Sequence, residues 1–136
     1  MPLRPAFHGR WPAAGGGQFM ITVRLPFSSP PLRSNDRLHW ADRARRVRVV
    51  RAAAHWAANK EPERPEGPVR VTLVWEVTDR RVRDVSAAAP TCKAAVDGIV
   101  DAGVLRGDDH TVVTSEAYRI EVGDRRGVRI EIEAAS

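Results

Sequence analysis

The chain has 136 residues, enough for one domain with one modest core. Hydrophobic residues make up 43% and charged residues 29%, the balance of a soluble globular protein, and no apolar run approaches the ~20 residues that cross a bilayer. The single cysteine, Cys92, excludes an internal disulfide and a Cys-rich zinc site, and the net charge of +5 favours a polyanionic partner.

Residues 1–19 hold Pro2, Pro5, Pro12 and Gly15-Gly16-Gly17 without periodicity. They are expected to form a tail, disordered or foreign to the natural protein, with one domain over 20–136. The tail's scattered arginines lack the apolar stretch of a secretory signal, so a cytoplasmic location is expected. Ile21 to Leu25 alternates apolar and polar, the pattern of a half-buried strand, and Pro26, Pro30 and Pro31 end it. From about His39 to Asn59 the pattern is helical. Trp40, Ala44, Val47, Val50, Ala54 and Ala57 form the expected apolar stripe, and Arg43, Arg45, Arg46, Arg48 and Arg51 occupy much of the rest.

Pro62 to Pro68 reads as a linker, and Val69 to Val77 as a second strand. Pro90 suits the first turn of a second helix and Gly103 its stop, with Cys92, Val96, Ile99 and Val100 facing the core. Trp40, Trp56 and Trp75 fall on apolar stripes and are expected in the core. A third strand is expected from about Thr111 to Val122, then a turn at 123–127 and a closing strand, Val128 to Ile132. The order β-α-β-α-β-β implies an α/β or α+β domain with a mixed sheet of about four strands and two main helices.

Two acidic spots carry the candidate chemistry. Asp79-Arg80-Arg81-Val82-Arg83-Asp84 leaves the second strand, and Asp108-Asp109 leads into the third. If those strands are neighbours, their ends can converge into a Mg²⁺ site on phosphate, because Mg²⁺ takes hard oxygen ligands. The plainer alternative is an exposed turn at Asp108-Asp109 and an Arg partner for Asp84. Lys93 and Asp97, four apart on the second helix, suit a surface ion pair. The basic residues are almost all arginine, whose planar fork suits phosphate, although a GC-rich genome would give the same bias.

The ordered set of these residues resembles a known family. Leu25-Pro26-Phe27, Pro30-Pro31, Ser34-Asn35, Arg37 and His39-Trp40 look like the opening of RusA-type Holliday-junction resolvases. Arg80-Arg81-Val82-Arg83-Asp84 resembles their Arg-rich run into an acidic motif. Lys93-Ala94-Ala95-Val96-Asp97-Gly98, Asp101-Ala102-Gly103-Val104-Leu105 and Asp108-Asp109 resemble their helix and second acidic motif. Tyr118-Arg119-Ile120 and Val128-Arg129-Ile130-Glu131-Ile132 fit the closing strands, so the likeness spans about residues 20–133.

The resemblance implies a homodimer that binds four-way or branched DNA and nicks it with Mg²⁺, Mn²⁺ substituting. By position it implies Asp84, Asp108 and Asp109 as metal ligands, and Asp84, Asp108 and Lys93 as catalytic residues. It implies DNA contacts from Asn35, Arg37, Arg80, Arg81, Arg83 and Lys93. Two departures stand out. Ser86 and Ala87 replace the second Asp and the Asn of the family's Asp-x-Asp-Asn motif, and the interval to Lys93 is about one helical turn longer. These departures keep a second expectation open: a non-catalytic DNA-binding relative with a decayed metal site.

Overall fold

The computed structural model describes residues 20–135. The expected tail, 1–19, lies outside the described residues. The elements are β1 (Met20–Leu25), α1 (Trp40–Ala58), β2 (Val69–Val77), a single 3₁₀ turn (Val85–Ala88), α2 (Ala89–Asp101), β3 (Val113–Val122) and β4 (Gly127–Ala134). They form one mixed four-stranded sheet in the order β1-β4-β2-β3. β4 runs antiparallel to both β1 and β2, and β3 runs parallel to β2 through the α2 crossover. This is the mixed α+β architecture expected from the element order.

Alternation along the strands divides the sheet into two unlike faces. Ile21, Val23, Leu25, Leu73, Ile130 and Ile132 join Val50, Ala54, Cys92, Val96 and Ile99 of the helices in one buried cluster. The opposite face carries charge instead. Glu76 takes two hydrogen bonds from Arg24, at 2.8 and 3.1 Å, and one from Arg129. Arg129 also donates to Glu121 at 3.0 and 3.1 Å and to Glu131 at 2.8 Å. Glu76 lies across Gly127 of β4, where a Cβ atom would meet its carboxylate.

The first helix keeps much of its expected stripe, with Val50 and Ala54 buried and Val47 and Ala57 packed against the core, but its tryptophans depart. Its fully buried positions are Val50, Ala54 and Ala58, while Trp40 is 77% exposed and Trp56 70% exposed. Only Trp75 of the three tryptophans expected in the core is buried. For Trp56, two residues on from Ala54 and so on the far side of the helix, the cause is the helix–helix contact. Gly98 of α2 brings the α1 backbone so close that a Cβ would lie 2.9 Å from Ala54 Cβ and would strike the Arg51 carbonyl. Such an approach tolerates small residues at the crossing and turns bulky ones outward.

The second helix ends as expected. Gly103 has φ 80°, its N–H bonds the Val100 carbonyl at 2.9 Å, and the Val104 N–H bonds the Ile99 carbonyl at 3.3 Å. This is a Schellman cap, with Val104 and Ile99 both buried beside it. β3 starts two residues later than expected. The Asp109 carboxylate takes the Thr111 N–H at 2.8 Å, and the Asp109 carbonyl takes the N–H groups of Val112 and Val113, so the chain turns before it extends.

Candidate functional site

The two expected acidic spots do not meet through their strands. In a parallel pair, the exit of one strand and the start of the next lie at opposite ends. Val77, the last residue of β2, faces Val122, whereas Val113, the first of β3, faces Val69. A different route brings part of the set together. The segment between α2 and β3 returns along the helix, and Asp108 reaches Lys93.

Lys93 holds two carboxylates through one ammonium, Asp97 at 3.0 Å and Asp108 in a short salt bridge. The surface pair expected between Lys93 and Asp97 is therefore present, extended by Asp108. The ammonium keeps the Asp108 carboxyl below the usual carboxylate range, and the two acids in turn raise the Lys93 ammonium. Asp109 serves its own turn, and the Thr111 hydroxyl and N–H lower its carboxyl.

Asp84 stands at the start of the 3₁₀ turn as its N-cap. Its Oδ1 accepts the Ser86 N–H at 3.1 Å and the Ser86 hydroxyl at 2.9 Å. Ser86, where the resemblance led to the expectation of a second acid, donates a hydrogen bond to Asp84 and brings no second charge. Among the described residues, no three His, Cys, Asp or Glu side chains gather in a group that could hold a metal ion. The chemistry of the donors still suits Mg²⁺, since Asp84 and Asp108 offer hard carboxylate oxygens and Asp108 is held ionised.

The arginine run is ordered by Asp79. Its carboxylate accepts the Arg81 N–H at 3.0 Å and pairs with the Arg83 guanidinium at 2.9 Å. Arg83 then lies over the Trp75 ring, 5.6 Å from its centroid. Arg33 lies over the same ring at 5.1 Å. These groups and Arg126 of the β3–β4 turn line an open cleft of about 350 Å³. Arg80, Asn35 and Arg37 do not line it.

Arg33, Trp75 and Arg126 were not legible as a site. Arg33 follows the proline pair of the β1–α1 loop, which a buried hydroxyl fixes to α2. Thr91 Oγ1 accepts the Leu32 N–H at 3.0 Å and donates to the Leu32 carbonyl at 2.6 Å. The Ser34 N–H adds a bond to the Ala87 carbonyl at 3.0 Å. The only sequence signal was a threonine on an apolar helix face. Cys92 is buried as expected, and burial pushes its thiol up, away from the reactive thiolate.

Among the described residues, no helix is long and apolar enough to cross a membrane. Compared with models of known families and with curated proteins, the chain matches none. The likeness to RusA-type resolvases rests on the residue pattern alone.

Proposed function

We propose that this protein is a structure-specific endonuclease of the RusA type, a cytoplasmic homodimer that nicks four-way or branched DNA. One observation carries the reading. Lys93 and Asp108, the helix lysine and the later acid that the resemblance implies, form one ion pair although 15 residues separate them. Asp84 and Asp108 would hold Mg²⁺ or Mn²⁺, which polarises the scissile phosphate when bound. The chain's own groups bind and orient the strand. Arg80, Arg81 and Arg83 draw phosphate toward Asp84, and the Lys93 ammonium, kept protonated by its two acids, is a donor for a phosphate oxygen.

A second reading has its own support. Asp84 caps a turn and binds Ser86, and Ala87 offers no ligand, which favours a relative that binds junctions without cutting them. Single-turnover assays on a synthetic four-way junction with Mg²⁺ or Mn²⁺ separate the two. The expected result is slow symmetric nicking, lost in Asp84→Asn and Asp108→Asn while binding persists. Ser86→Asp should raise the Mg²⁺ rate by about ten-fold, or ~1.4 kcal/mol at the barrier. Tight binding without nicking, in wild type and Ser86→Asp alike, would leave only the second reading.

A further inference from the structure

The cleft over Trp75 lies outside the acid–lysine cluster, and its chemistry is of a different kind. Four arginines (Arg33, Arg81, Arg83 and Arg126) face one carboxylate, Asp79. Asp79 is already paired with Arg83 and Arg81. Among the described residues, neither the Arg33 nor the Arg126 guanidinium pairs with a carboxylate. A concave site with surplus guanidinium charge attracts an anion.

Two features make the cleft more than a charged surface. Trp75 is set in the sheet and only 6% exposed, so it forms a fixed floor. Arg33 and Arg83 lie on its ring; Arg83 has N–H groups engaged by Asp79 and the Arg81 carbonyl, whereas Arg33 makes a long bond to the Ser29 hydroxyl and keeps donors for a ligand. Arg83 is further restrained by bonds to Asp79 and to the Arg81 carbonyl, the latter at 3.1 Å, and its side chain is 17% exposed. Donors already held in place lose less freedom when a ligand arrives. Ser28 and Ser29 add hydroxyls at the rim, and the Ser29 hydroxyl accepts from Arg33 at 3.4 Å. A planar guanidinium fork binds two oxygens of a tetrahedral oxyanion at once.

We propose that this cleft is a phosphate subsite, built on Arg33, Arg83 and Arg126 over Trp75, that holds a backbone phosphate of a nucleic-acid strand. The nucleic-acid source of the phosphate rests on the DNA reading above. Arg83 lines the cleft and Asp84 is the next residue, so a phosphate seated here anchors the strand beside Asp84 while other groups act on the neighbouring one. Arg33 and Arg126 thereby become binding residues that the resemblance does not name, Arg33 in the loop that also holds Asn35 and Arg37 and Arg126 in the β3–β4 turn.

The test is an NMR titration of arginine Nε–H and tryptophan indole N–H signals. Inorganic phosphate is added first, then a short single-stranded oligonucleotide without terminal phosphate, with chloride at matched ionic strength as the control. The expected result is movement of Arg33, Arg83 and the Trp75 indole with both ligands, and no equal movement of Arg119 or Arg129. Arg33→Ala should weaken phosphate binding by about ten-fold, as removal of one charge-assisted bond implies. Arg33→Lys keeps the charge but not the fork and should recover only part of the affinity. A thermal midpoint matching wild type establishes that both variants are folded. Signals that do not move, or that move equally on Arg119 and Arg129, would overturn the subsite. Oligonucleotide binding that leaves these signals still would overturn it while sparing the DNA reading. Response to inorganic phosphate alone would keep an anion site and overturn its nucleic-acid source.

Discussion

Trp75 and Glu76 are adjacent in β2 and point to opposite faces of the sheet, and each gathers arginines. On the open face, Glu76, Glu121 and Glu131 answer Arg24, Arg119 and Arg129 in a network that encloses its own charge. On the other face, Arg33 and Arg83 are held by an aromatic ring, and Asp79 is the one carboxylate lining the cleft. The difference shows that arginine content says little about binding until the carboxylates are located. Where acid and base are matched and half-buried, arginine holds the fold; where guanidinium groups outnumber the carboxylates, as Arg33 and Arg126 do beside an Asp79 already paired with Arg83, they keep donors for a ligand.

The largest expected effect breaks the balanced side. Glu76→Ala strips a carboxylate whose side chain is 9% exposed and leaves Arg129, 14% exposed, with an uncompensated donor. It should destabilise the fold by about 3 kcal/mol, read from urea unfolding, whereas Arg126→Ala should stay within about 0.5 kcal/mol of wild type. Acid probes the balanced side as well. The Arg24 hydrogen bonds, with the help of Arg129, hold the Glu76 carboxyl down to about 2 from its ordinary 4.5. A lowered folded value means that its contribution is complete above the ordinary value and is lost as pH falls from about 4.5 toward 2. Unfolding midpoints across that range should fall in wild type and fall less in Glu76→Gln.

A smaller effect sharpens the unbalanced side. Asp79→Asn keeps an acceptor for the Arg81 N–H but removes the carboxylate charge from the cleft. Phosphate affinity by NMR should rise roughly two- to five-fold, the scale of one exposed ion pair. Glu121→Gln, an equal charge change on the open face, should leave phosphate affinity unaltered. A rise of the same size in both variants would mean that only net charge matters.

The sequence made the frame legible because strands and the second helix carry local signals. Val69 to Val77 alternates and is β2, and Gly103 closes α2 because only its backbone takes φ 80° without strain. The first helix was harder to read. Trp56 was expected on an apolar stripe, but Gly98, some forty residues further along the chain, decided that the Ala54 face of α1 would approach α2. The acids were legible as residues and not as a constellation. Their convergence was expected from strand ends, and the parallel register of β2 and β3 separates those ends. Arg33 and Arg126 could not be read as partners, since a proline loop and a turn meet over Trp75 only after the sheet has formed.

In the proposed subsite the cleft over Trp75, and not the arginine-rich sheet face, meets the DNA backbone. The most direct measurement is the salt dependence of four-way junction affinity in Arg126→Ala and Arg119→Ala, two variants with the same net charge. The expected result is a slope shallower by about one for Arg126→Ala, because one fewer phosphate is neutralised, and a slope equal to wild type for Arg119→Ala. An unchanged slope in Arg126→Ala, or equally shallow slopes in the two variants, would contradict it.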